Sequence, residues 1–226
     1  MTDITDHLAE IVERVARATE RAGRSVASVT IVAVGKQQPA SAIAAVHRAG
    51  LRHFGESYVQ EALPKMAELA DLALTWHFVG KLQANKTRQV AEAFDWVHTL
   101  DRLKIAERLN EQRPLRAPPL NVLIQVNQGG ESQKSGVPEA DVAALARAIH
   151  GLPRLKLRGL MTLPPQSGTP ARWFAELAAL RARLERDGIP LDTLSMGMSS
   201  DFEAAIEAGA TAIRIGTALF GARDAS

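Results

Sequence analysis

Short β-branched apolar runs alternate along this chain with segments whose apolar residues recur at helical spacing. That alternation restricts the fold more than any other feature. Val29–Val34 reads Val-Thr-Ile-Val-Ala-Val, the pattern of a strand buried on both faces. Further strands are expected at Arg52–Phe54, Thr75–Val79, Trp96–Thr99, Asn121–Val126, Lys156–Met161, Thr193–Ser195 and Ala212–Ile215. Helical patterns fall between them at Ser41–Ala49, Tyr58–Ala70, Lys86–Ala93, Arg102–Gln112, Glu139–His150, Arg172–Arg186 and Asp201–Ala208, with a short last helix from Thr217. Repeated βα units imply parallel pairing with right-handed crossovers.

Eight such strands in 226 residues favour a closed (β/α)8 TIM-type barrel. An open doubly wound sheet would want a glycine-rich fingerprint after the first strand, and Val34-Gly-Lys-Gln-Gln-Pro39 is not one. An extra helix precedes the barrel: Ile4, Leu8, Ile11, Val12 and Val15 share one face, and Gly23 closes the segment. Residues 1–22 are therefore assigned to this helix, which is expected to cover the bottom or side of the barrel. The stiff Arg113–Pro119 stretch leads into the fifth strand, so residues 1–226 are read as a single domain.

Composition removes several classes of function. No cysteine is present, which excludes disulfides, thiolate metal sites and cysteine nucleophiles. Lys and Arg number 27 against 25 Asp and Glu, and no basic block interleaves with aromatics, so no nucleic-acid partner is expected. The six histidines lack metal-ligand spacing, and no metal site is expected. The acidic N-terminal start is not a secretory signal, and no apolar run approaches the ~20 residues that span a bilayer. The expected setting is cytoplasmic, without a membrane partner.

In a β/α barrel, ligands sit on the loops that follow the strands. Lys36 follows the first strand, where partial drying of a barrel mouth would favour the free amine that attacks carbonyls. A rim lysine with a packed stem and a solvated head explains the same position. Met196-Gly197-Met198-Ser199 and Gly216-Thr217 follow the last two strands. Glycines there admit a ligand close to the backbone, and N–H groups at helix starts receive anions, although Ser199 and Thr217 also suit plain N-caps. Alternation turns Arg214 into the barrel, where its acceptor would be Glu56, in a structural ion pair, or a ligand nitrogen. An amine, an anion cradle and an inward Arg suit a phosphorylated aldehyde cofactor. A cofactor-free Schiff-base aldolase acting on a sugar phosphate would use the same parts.

The stretches Val32–Pro39, His53-Phe-Gly-Glu-Ser-Tyr-Val-Gln-Glu61, Trp76–Lys86, Val97–Arg102, Val122–Asn127, Lys134-Ser-Gly-Val137, Arg158–Met161 and Leu194–Arg223 closely resemble a known family. These are the small pyridoxal-phosphate-binding proteins of vitamin B6 homeostasis, relatives of the alanine racemase barrel. The resemblance implies pyridoxal 5'-phosphate (PLP) held as an internal aldimine on Lys36. It implies phosphate at Ser199-Ser200 and Gly216-Thr217, and Arg214 facing the pyridine nitrogen. Ser57, His77, Met196 and Gly197 complete the expected cofactor contacts, with a satisfied core histidine as the other reading of His77. The chain departs from the family at Gly35, Gln37 and Ser57, where Ser, Thr and Asn are common.

The function so implied is a monomeric PLP carrier without catalytic turnover, with PLP-dependent apo-enzymes as recipients. The alternative is an amino-acid racemase using Lys36 as base. Racemisation needs an opposing acid/base group. The sole tyrosine, Tyr58, reads as a rim or packed residue. A C-terminal β domain like that of the racemases is not expected. A second, weaker cofactor site is conceivable among Lys81, Lys86 and Lys134.

Overall fold

The computed structural model describes residues 4–131, 135–165 and 167–221. Lys134 and Arg223 lie outside the described residues. Eight strands close into a barrel in sequence order: β1 (Thr30–Val34), β2 (His53–Glu56), β3 (Thr75–Phe78), β4 (Trp96–Leu100), β5 (Leu120–Gln125), β6 (Leu155–Met161), β7 (Thr193–Ser195) and β8 (Ala212–Ile215). All neighbours are parallel, and β8 returns to β1 with Val32 opposite Arg214 and Ala33 opposite Ile215. The expected barrel is therefore the fold.

The helices are α1 (Ile4–Arg21), α2 (Ala40–Arg48), α3 (Val59–Glu68), α4 (Thr87–Ala93), α5 (Leu103–Gln112), α6 (Glu139–His150), α7 (Pro170–Arg186), α8 (Phe202–Glu207) and α9 (Thr217–Phe220). Their buried faces, including Ile43, Val46, Leu109, Phe174 and Leu177, join one core with Phe54, Phe78, Leu120 and Leu160 of the strands.

The extra helix α1 lies on the side of the barrel, against α2, α8 and α9, where β8 meets β1. Leu8, Ile11 and Val15 are enclosed there, each contributing roughly 1.5–3 kcal/mol by burial. Arg14 reaches Glu203 and Arg21 reaches Glu207, both at 2.7 Å. Partly exposed ion pairs of this kind add little, so apolar contact holds the helix.

One strand runs past its expected end. β2 continues from Phe54 through Gly55 and Glu56, because the Glu56 carboxylate turns into the helical layer and meets Lys65 of α3 at 2.8 Å. A charged residue at a strand end reads as loop in sequence, and a partner on a later helix removes that objection.

Candidate functional site

Strands β7, β8, β1 and β2 are neighbours, so the loops after them share one half of the barrel mouth. Lys36 is half-buried there and makes no hydrogen bond or ion pair among the described residues. The backbone around it is held firmly. Lys65 Nζ donates to the carbonyl of Gly35 and to Glu56 Oε1, both at 2.8 Å. Gln37 adopts φ 61°, an uncommon conformation for a residue other than glycine, and its N–H donates to Glu61 Oε2 at 2.9 Å. Glu56 is fully enclosed; burial pushes its carboxyl up while Lys65 draws it down. The expected partnership of Glu56 with Arg214 is not formed, because Glu56 faces the helices and Arg214 the barrel interior.

The turns after β7 and β8 are tied together. Ser199 Oγ accepts from the N–H of Ala218 at 3.2 Å. Gly197 has φ 93°, and a Cβ there would lie 2.6 Å from Ala205 Cβ, so the turn rests directly on α8. Its carbonyl accepts from Arg214 N at 3.0 Å. Gly216 leaves room for no more than a methyl group in ordinary contact, with Val34 O the nearest atom to a built Cβ at 3.6 Å. Ser200 and Thr217 are exposed beside it. Ser199, Ser200, Gly216 and Thr217 thus lie together at the mouth. Met196 does not join them; it is fully buried in the hydrophobic core.

Arg214 is 5% exposed and points into the barrel. Its Nη1 donates to Ser195 Oγ at 2.6 Å and its Nη2 to the carbonyl of Thr162 at 2.9 Å. Burial lowers its pKa to about 10, so it remains a cation at neutral pH. No carboxylate lies within ion-pair distance among the described residues, and Asp201 helps only from farther away. A buried cation without an anion is costly, and guanidinium donors favour an electron-rich acceptor.

Ser195 leads onward to three histidines. Its Oγ lies 2.9 Å from His98 Nδ1, His98 Nε2 lies 2.9 Å from His77 Nδ1, and His77 Nε2 lies 3.0 Å from His53 Nδ1. His77 also stacks on Trp96, with centroids 5.4 Å apart. Both of its ring nitrogens are engaged, which fits the satisfied core histidine rather than a ligand contact. Sequence reading did not single out His53, His98, Ser195 or Lys65. The signal for the first two was a histidine on each of three successive strands.

Ser57 is half-buried on the β2 loop, which runs against the β3 loop so closely that a Cβ on Gly80 would lie 2.0 Å from Ser57 O. Between them is a cleft of about 360 Å³ lined by Ser57, Tyr58, Gln60, Lys81 and Lys86. Tyr58 is 55% exposed, a rim residue. A larger cavity, about 560 Å³, lies among Leu152, Pro153, Arg158, Pro190 and Asp192. Those residues enter strands rather than leave them, so that cavity sits at the end where barrel ligands are not bound. No helix among the described residues is long and apolar enough to cross a membrane.

A lysine without a partner among the described residues, two clasped turns and a buried guanidinium thus lie toward one end of a (β/α)8 barrel, and comparison with known proteins places that barrel in the alanine racemase class. The family model for the alanine racemase N-terminal domain matches residues 7–224. The chain is 56% identical over 224 residues to the pyridoxal phosphate homeostasis protein of Pseudomonas aeruginosa, covering 99% of this chain and 97% of that one. It is 51% identical over 232 residues to the protein of the same name from Escherichia coli, covering 100% and 99%. Among solved structures, PipY of Synechococcus elongatus with PLP bound superposes with a TM-score of 0.84 at 39% identity, over 97% of this chain and 100% of that one. The chain belongs to the pyridoxal phosphate homeostasis proteins, within the alanine racemase N-terminal domain family.

Proposed function

We propose that this chain binds PLP at the mouth of its barrel and serves intracellular PLP homeostasis as a carrier without catalytic turnover. The observation that carries the reading is Arg214, a buried guanidinium for which the described residues supply no carboxylate. A pyridine nitrogen is an acceptor of the right kind, and guanidinium can donate to it but cannot protonate it. The ring is then a poor electron sink, which restrains carbanion chemistry.

The remaining residues fit the same group. Ser199, Ser200, Gly216 and Thr217 offer hydroxyls and backbone to a phosphate, with Gly197 shaping the turn. Lys36 has an amine with no partner among the described residues. That amine would hold PLP through the aldehyde carbonyl that the cofactor would supply. Ser57 closes the β2 side. Absence of turnover is supported by the two candidate opposing bases: Tyr58 stands out in solvent, and both nitrogens of His77 are taken. The carrier is read as a single-domain, cytoplasmic monomer that passes PLP to apo-enzymes.

The test is the visible spectrum before and after borohydride, beside Lys36→Ala. A yellow band that borohydride bleaches, missing in the variant, supports the reading. A protein that stays colourless with added PLP overturns it. A yellow protein that racemises amino acids would move it to the racemase alternative with Lys36 as base.

A further inference from the structure

We infer that His53, His77, His98 and Ser195 form a one-directional chain of neutral hydrogen bonds that takes the place of a carboxylate, which the described residues do not supply to Arg214. The direction follows from the Arg214 end. A guanidinium has donors only, so Ser195 Oγ must accept from Arg214 Nη1 across 2.6 Å. Ser195 is fully buried, and His98 is its other hydrogen-bond neighbour among the described residues. If the hydroxyl also accepted from His98, its own proton would be buried without a partner, which proteins avoid. The hydroxyl therefore donates to His98 Nδ1.

Each later link is then fixed in turn. His98 with a bare Nδ1 carries its proton on Nε2 and donates to His77 Nδ1. His77 in the same form donates from Nε2 to His53 Nδ1. His53, at the start of β2 and only half-buried, ends the chain near Asp95. Trp96 flanks the chain from β4, with Arg158 of β6 over its outer ring at 4.9 Å.

All three imidazoles thus turn the lone-pair side of the ring toward Arg214. Aligned dipoles stabilise the buried cation much as a helix terminus does an ion, and they leave its charge uncancelled. A carboxylate in the same place would bind the guanidinium and draw its donors from the mouth. Burial and the neighbouring Arg214 hold His98 at about 3, so the chain is neutral under ordinary conditions. The chain itself rests on the geometry. Its consequence for the cofactor, that Arg214 stays a fixed donor to the ring, rests on the function proposed above.

Two measurements separate these levels. The first is long-range proton–nitrogen correlation NMR of histidine-labelled protein without PLP at pH 7. His77 and His98 should both be neutral with the proton on Nε2, and Ser195→Ala should turn His98 into a mixture of tautomers. A charged ring, a proton on Nδ1, or tautomers unmoved by Ser195→Ala would overturn the chain. The second is PLP titration of His98→Leu and His98→Asn. Loss of the acceptor in His98→Leu should weaken binding about tenfold while the yellow band still forms at saturation. Asn keeps an acceptor on the Nδ1 side and should restore most of the affinity. Binding by His98→Leu equal to that of the unaltered protein sinks the counterion role. No yellow band in the unaltered protein sinks the cofactor reading and leaves the NMR result standing.

Discussion

Lys65 of α3 joins Glu56 of β2 and the carbonyl of Gly35 through one ammonium, at 2.8 Å to each. It is thus the link between the helical layer and the residue preceding Lys36. Glu56 is wholly enclosed, its second carboxylate oxygen has no hydrogen-bond partner among the described residues, and the Lys65 side chain is only 12% exposed. Removing the lysine alone strands a buried carboxylate. Lys65→Met should lower stability by about 3–5 kcal/mol in urea unfolding, and adding Glu56→Leu should recover part of that loss. A double variant weaker than Lys65→Met would mean that Glu56 is stabilised by something else.

Acid should destabilise the protein through its buried histidines. His98 is pushed down to about 3, mainly by burial and then by Arg214; His77 lies well below the usual histidine range, mainly by burial. Between about pH 6.5, where a free histidine titrates, and about 3, the unfolded chain binds protons that the folded chain refuses. Stability is therefore full above that window and falls as pH drops through it, by up to about 1.4 kcal/mol per pH unit for each histidine. Urea midpoints measured from pH 7.5 to 4.5 check this, and a flat profile would refute it.

Gly197→Ala should damage both the fold and the site. The new methyl would meet Ala205 Cβ at 2.6 Å and Phe202 Cα at 2.9 Å, at φ 93°. Overpacking and backbone strain each cost about 1–3 kcal/mol. Thermal unfolding should show the loss, and Gly23→Ala, at φ 63° but with nothing within 4 Å, should lose only the backbone part.

Ser199→Ala removes the acceptor for the N–H of Ala218 and one hydroxyl of the proposed phosphate cradle. PLP affinity should fall about tenfold, with the band at Lys36 retained once the site is filled. Free inorganic phosphate should compete with PLP in the unaltered protein. Failure of phosphate to compete would place the anion elsewhere.

The barrel was legible because parallel strands are buried on both faces, so Ile31–Val34 and Val122–Ile124 stand out as unbroken apolar runs. Helix α1 was legible through its apolar face. Lys36 and the two glycine turns were legible as candidates because strand order fixes which loops share the mouth. The partners were not. Lys65 lies nine residues beyond Glu56 on another element, and no local periodicity links a strand carboxylate to a helical amine. His53, His77 and His98 recur at separations of 24 and 21 residues, which reflect loop lengths rather than any repeat. Their adjacency arises from inter-strand register, and for the same reason the sequence left Glu56 and a ligand nitrogen both open as acceptors for Arg214.

The position of α1 bears on how this chain comes off a ribosome. Arg14 and its partner Glu203 are separated by 189 residues, so at ordinary rates the surface on which α1 rests is synthesised roughly 10–40 s after α1 itself. Throughout that interval only α2 of the three helices that pack on α1 has been made, so Leu8, Ile11 and Val15 are incompletely covered. Newly made chains should therefore be most open to chaperone capture at their first helix, and barrel closure and helix docking should finish as one late event.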